Sequence, residues 1–99
     1  MNTLNSLSKK YPAVQDYSVA NEKLIVVYKK LLARINDPIS KKSLQTAQTA
    51  WCIYRDKNAK FEASFYEGGT MQPIVLSNCL TTMTEKRTVE LQHILDTET

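Results

Sequence analysis

The chain has 99 residues, 42% of them hydrophobic and 23% charged, which is enough for one compact core and too little for two. Its formal charge of +3 comes from thirteen basic and ten acidic residues spread along the whole length, without the block of like charge that marks a nucleic-acid arm. Leu24 to Tyr28 is the longest apolar run, far short of the roughly 18 residues a membrane span requires. Two glycines and three prolines, set against many Ala, Leu, Lys, Glu and Gln, favour helix over sheet.

Residues 1–16 read as a polar, partly ordered arm in which Pro12 interrupts any helix. Met1 to Lys10 carry basic residues but no apolar stretch after them, so no secretory leader is legible. That leaves a cytosolic protein or one whose leader has been removed. A single helical domain is expected over 17–97. Its first helix starts at Tyr17, where Asn21, Leu24, Tyr28, Leu31 and Ile35 continue a spacing of fours and threes, with Ile25 and Leu32 widening the stripe. Asn36-Asp37-Pro38 ends it and opens the next, Asp37 as the cap and Pro38 at the first helical position. The first two helices are expected as an antiparallel or steeply angled pair. Lys29, Lys30, Arg34, Lys41 and Lys42 gather at this break and read as a solvated helix end.

The second helix shows the most regular pattern: Leu44, Ala47, Trp51, Tyr54, Asn58, Phe61 and Phe65 form a seam of coiled-coil type, closed by a glycine cap at Gly68-Gly69. After the turn Thr70 to Gln72, Pro73 leads into a third helix with Leu76, Leu80, Met83, Leu91 and Ile94 on its core side. The expected fold is all-α, a small three-helix bundle with a long antiparallel hairpin formed by helices two and three. A hairpin symmetric about Gly69 places residue 87 level with 51. The Arg87 guanidinium would then lie on the face of Trp51 while reaching toward Asp56 or Glu90, a set that fixes helix register more often than it binds a ligand.

Asn21, Leu24, Tyr28, Leu31, Leu44, Ala47-Gln48, Ala50-Trp51, Tyr54-Arg55-Asp56, Gly68-Gly69-Thr70, Cys79, Leu80, Thr84, Arg87 and Leu91 together resemble the pattern of the lysozyme-inhibitor LprI family, over roughly residues 18 to 95. The resemblance implies a periplasmic, secreted or lipid-anchored inhibitory binding module. It also implies a disulfide from the Cys79 position to a cysteine three residues after the Arg-Asp pair, where this chain has Ala59. Cys52, seven residues earlier, is displaced from Cys79 by about 10 Å along the axis, beyond the roughly 7 Å that a disulfide can span. Cys52 and Cys79 are therefore expected as free thiols, and without the family disulfide a cytoplasmic location stays open.

No catalytic set is recognisable. His93 near the end of the third helix, with Asp96 three residues on, reads as a surface imidazole. Glu62 and Glu67 lack the cleft that paired acid chemistry needs. No metal cluster, phosphate loop or cofactor motif is present, and the protein is read as a non-enzyme with no cofactor. What remains is binding. The turn Tyr66, Glu67, Gly68, Gly69, Thr70, Met71 and Gln72 is the candidate partner-contacting tip, suited to entering a concave glycosidase cleft. The alternative is that the glycines only turn the chain while Met71 caps the hairpin core. Trp51, Tyr54, Arg55, Asp56, Cys79 and Arg87 form the structural motif. The expected partner is a protein, a lysozyme by resemblance. Two alternatives stand beside it: an immunity or antitoxin protein binding a cognate toxin enzyme, and a homodimer joined through Ile25, Val26, Val27 and Leu32.

Overall fold

The structure, a computed structural model, describes residues 12–97, with side chains from Asp16 onward. Three helices follow in order: α1 over Pro12–Arg34, α2 over Pro38–Ser64 and α3 over Gln72–Thr97. Helix α1 begins five residues before the expected Tyr17. Pro12 opens it instead of interrupting it, because a proline at the first helical position gives up only an amide that has no helical partner. The rest of the expected arm, residues 1–11, lies outside the described residues.

The link to α2 is three residues long. Asp37 has extended backbone angles, and its carboxylate accepts from the amides of Ile39 at 3.4 Å and Ser40 at 3.1 Å and from the Ser40 hydroxyl at 2.8 Å. These contacts satisfy otherwise unpartnered amides of the first turn and hold the Asp37 carboxyl below its ordinary value. Helix α2 stops at Ser64 with Phe65 as its cap, four residues short of the expected glycine stop. A turn over 65–71 then makes the reversal, and Gly68 adopts a left-handed φ of 79° that a side chain would strain.

Helix α3 is central and packs along both α1 and α2. Asp16 and Lys23 border Glu85 and Thr88, while Lys30 and Arg34 border Gln92 and Asp96, so α1 and α3 run parallel and α2 runs against them. The pairing of α1 with α2 is thus secondary to the pairing of each with α3. The largest apolar cluster lies toward the C-terminal halves of α1 and α3, where Leu24, Val27, Leu31, Leu91 and Leu95 are buried and Tyr28, Ile35, Leu44 and Trp51 pack against them. Each such buried leucine contributes about 1.5–3 kcal/mol. Toward the turn the α2 to α3 contact is made of small residues, with Ala59, Ala63 and Ser77 buried.

Several expected core positions are corrected. The buried face of α2 is Gln48, Arg55, Ala59 and Ala63, whereas Ala47, Tyr54, Phe61 and Phe65 of the expected seam are exposed. In α3, Leu91 is buried as expected, but Ile94 is exposed and Leu95 takes its place. In α1, Val27 belongs to the core, which leaves Ile25 and Val26 as the exposed part of the stripe expected to self-associate.

Candidate functional site

The α2 to α3 hairpin is joined along its length by polar side chains. Arg87 Nε donates to Gln48 Oε1 at 3.0 Å, Arg55 donates to Thr84 Oγ1 at 3.5 Å, and the Cys79 thiol meets Glu62 Oε2 at 3.0 Å. This register agrees with a hairpin folded about Gly69. The Arg87 guanidinium lies over the Trp51 ring at 5.9 Å from its centre and pairs with Glu90 at 3.2 Å. Of the two acidic partners expected for Arg87 it reaches Glu90, because Asp56 is held at 2.9 Å by its neighbour Arg55.

Arg55 is the pivot of the motif. Only 7% exposed, it also donates to Asn21 Oδ1 on α1 at 3.3 Å and lies over the rings of Trp51 at 5.0 Å and Tyr17 at 5.6 Å. One guanidinium thereby ties all three helices, its planar fork supplying several donors in fixed directions. Burying a cation is costly unless it is paired and hydrogen-bonded, and Arg55 is both. Tyr54, next in sequence, instead faces outward at the rim of a groove.

That groove runs between α2 and α3 and encloses about 640 Å³, with Trp51, Tyr54, Asn58, Glu62, Cys79, Met83 and Arg87 among its walls. Cys52 and Cys79 are both free. Burial, the hydrogen bond to Glu62 and that carboxylate's charge push the Cys79 thiol up to about 11, against a smaller opposing contribution from Asn58. A thiol so strongly held in its protonated form is not an activated nucleophile. His93 is exposed on the far part of α3 and stands apart from this groove.

At the turn, Phe65 is 74% and Phe61 59% exposed, and their rings meet edge to face at 5.3 Å. Tyr66 and Met71 are also exposed, so Met71 does not cap the hairpin core. The Gly68 amide donates to Gln72 Oε1 at 3.4 Å, which braces the loop from the start of α3. A Cβ at Gly69 would meet the Tyr66 carbonyl oxygen at 3.3 Å, so the backbone there is packed closely on itself.

The structure brings Trp51, Arg55, Asp56 and Arg87 together at mid-hairpin, places Cys79 beside them in the groove and sets the turn residues apart at the hairpin's end. Sequence reasoning did not single out Gln48 as Arg87's partner, Thr84 and Asn21 as acceptors for Arg55, or Met83 as a neighbour of Cys79. The four-residue step from Cys79 to Met83 is the one signal that could have found the last of these. Among the described residues no three His, Cys, Asp or Glu side chains gather as a metal set, and no helix is long and apolar enough to cross a membrane.

The sequence is similar to an uncharacterized protein of Rhizobium meliloti (strain 1021), 30% identical over 96 residues that span 85% of this chain and 69% of that one. No solved structure matches. The family described as Lysozyme inhibitor LprI matches residues 3–91, which takes in every motif residue placed above and points to protein binding of the lysozyme-inhibitor kind. The chain therefore belongs to the lysozyme inhibitor LprI family.

Proposed function

We propose that this protein is a non-catalytic inhibitor that blocks a cell-wall-degrading glycosidase by inserting its hairpin tip, Tyr66 to Gln72, into the enzyme's cleft. The observation that carries the reading is the concentration of Phe61, Phe65, Tyr66 and Met71, all exposed, at one end of a molecule 47 Å long and 24 Å wide. Exposed apolar side chains gathered at one end of a small domain mark an interaction surface, and large aromatic anchors supply most of the affinity of such contacts. Family membership supplies the class of target. The net charge of +3 gives no long-range steering toward a basic lysozyme, but the tip itself carries a single charge, Glu67, so contact rests on shape and local complementarity.

The mid-hairpin motif has a different part in this reading. Arg55 and its partners hold α2 and α3 in register, so the tip is presented on a rigid stalk and loses little conformational freedom on binding.

The test is hydrolysis of purified peptidoglycan by several lysozyme types in the presence of stoichiometric protein. Tyr66→Ser and Met71→Glu alter exposed side chains without touching the core; Gly69 is a poorer choice, since any Cβ there strains the turn. Inhibition by the native chain that falls at least tenfold in both variants, with unchanged thermal midpoints, is the expected result. Full inhibition by both variants would refute the tip as the contact. Failure against every lysozyme type would refute the target class and leave the toxin-directed reading, for which a one-to-one complex with a different enzyme is the signature.

A further inference from the structure

We propose that the end of the molecule opposite the hairpin tip is a docking surface for an anionic phospholipid bilayer, with Lys29, Lys30, Arg34, Lys41 and Lys42 meeting the headgroups and Ile39 entering between them. Residues 29–42 carry these five cations and one carboxylate, Asp37, for a net +4. The whole chain is +3, so all other residues together sum to −1 and the excess positive charge is concentrated at one end. Helix α1 stops at Arg34 and α2 starts at Pro38, so with a rise of about 1.5 Å per residue each of the five lies within about 8 Å of the link along the helix axes. All are exposed except the half-buried Lys41, and none has an ion-pair partner among the described residues. Asp96 of α3 borders Lys30 and Arg34 and accepts from Gln92 at 2.8 Å.

Lys29, Lys30 and Arg34 complement the negative end of the α1 dipole. Lys41 and Lys42 do the opposite. They lie close to the positive end of α2, which has no acidic residue in its first turn. Cations that oppose their own helix and have no internal partner are a local cost, and such costs collect at functional sites, where here an external anion offsets them. Shape and apolar content select the occupant. The cations come from two helices and surround the blunt end of a rod 24 Å wide, whereas a nucleic acid needs them aligned along its backbone. Ile39, 77% exposed, stands among them. An isoleucine beside basic residues gains from entering a lipid interface and gains nothing from a soluble polyanion, and clusters of about four to eight Lys or Arg are the sequence mark of anionic lipid. Because this end lies away from the tip, the assignment is independent of the inhibitory reading. A molecule docked upright holds its tip at the far end of its 47 Å length.

Co-sedimentation of the intact chain with vesicles of phosphatidylcholine containing about one third phosphatidylglycerol, against phosphatidylcholine alone, tests the surface. Binding to the anionic vesicles at about 0.1 M salt should be at least tenfold tighter than to the neutral ones and should be lost at about 0.5 M. Lys41→Glu combined with Lys42→Glu should weaken it at least tenfold, and this variant keeps its fold because it adds acids at the positive end of α2. Lys57→Glu combined with Lys60→Glu makes the same change in net charge on exposed residues about 28 Å or more from the start of α2, beyond the screening length, and should stay within about twofold of native. Ile39→Ser, which leaves the charge unchanged, should weaken binding at least threefold. The proposal is overturned if anionic and neutral vesicles bind alike, if neither binds, if the Lys57 and Lys60 variant loses as much as the Lys41 and Lys42 variant, or if Ile39→Ser binds as the native chain does. Heparin or polyphosphate binding as tightly as the vesicles, with the same loss in the Lys41 and Lys42 variant, would overturn the lipid assignment in favour of a soluble polyanion. Circular dichroism of each variant separates loss of binding from loss of the fold.

Discussion

Removing the Arg55 guanidinium should destabilise the protein by an amount that depends on what replaces the stem. Its hydrogen bonds to Asn21 and Thr84, at 3.3 and 3.5 Å, are long, and together they contribute about 1–2 kcal/mol. The contacts with Trp51 and Tyr17 add about 1–2 kcal/mol more. The buried stem, three methylenes at roughly 0.8 kcal/mol each, adds about 2 kcal/mol. Against these stands the relief of no longer desolvating a cation, which recovers part of the loss. Arg55→Ala is therefore expected to cost about 3–4 kcal/mol, lowering the thermal midpoint by roughly 15–25 °C for a domain of this size. Arg55→Met keeps most of the stem and should cost about 1–2 kcal/mol. Asp56→Ala removes only the half-exposed partner and should stay below about 1 kcal/mol. Urea unfolding followed by far-ultraviolet circular dichroism is the suitable assay, because the single tryptophan lies against the mutated side chain and its fluorescence would respond to the substitution itself. An Arg55→Ala protein within 1 kcal/mol of the native chain, or Arg55→Met as damaging as Arg55→Ala, would refute this account of the pivot.

Leu91→Ala, at a fully buried position in the apolar cluster, should cost about 2–5 kcal/mol by denaturant unfolding, the upper part of that range applying if the cavity does not close. Asp37→Ala should lower the thermal midpoint while Asp37→Asn, which still caps, should not. Because the folded Asp37 carboxyl titrates below its unfolded value of 3.8, its contribution is present above that pH and is lost as pH falls through the folded value, which an acid titration of the Ile39 and Ser40 amides would follow. Cys79, with its thiol at about 11, should react with iodoacetamide about tenfold faster per pH unit from pH 8 to 10 without levelling off. The same thiol is easier to ionise in the unfolded chain, where its value is near 9.0, so stability should decline as pH rises from about 9 toward 11.

The helices were legible because their boundaries rest on local chemistry. Asp37 and Pro38 act within one turn, and the glycines at 68 and 69 mark a reversal that no continuous helix would tolerate. Pro12 misled because proline has two meanings in a helix, stop or start, and only the geometry of the following residues decides between them. The hairpin register was legible for a similar reason: once the turn centre is fixed, antiparallel helices of equal rise bring 51 and 87 together, and Arg87 does lie over Trp51. The rotation of α2 was not legible. Hydrophobic spacing selects Tyr54, Phe61 and Phe65 for the core, yet the face turned to α3 carries Gln48 and Arg55, whose polar atoms find partners in Arg87, Thr84 and Asn21 on other helices.

That misplaced rotation bears on function. A helix whose buried face is built largely from small and hydrogen-bonded residues leaves Tyr54, Phe61 and Phe65 on the outside, so half of the most regular apolar pattern in the sequence describes a surface while Leu44 and Trp51 keep to the core. Ala59 and Ala63 let α2 approach α3 closely without help from Phe61 or Phe65, and those rings are left exposed beside the turn. Exposed aromatics carry an aggregation hazard in a small domain unless a partner covers them. Replacing Phe61 and Phe65 together by Ser and Gln should therefore leave the unfolding free energy within about 0.5 kcal/mol of native, as expected for surface positions. The same double variant should lose inhibition of the target glycosidase if these rings flank the bound tip. A variant that unfolds would show that the rings are structural after all; one that stays folded and fully inhibitory would confine the contact to Tyr66 through Gln72.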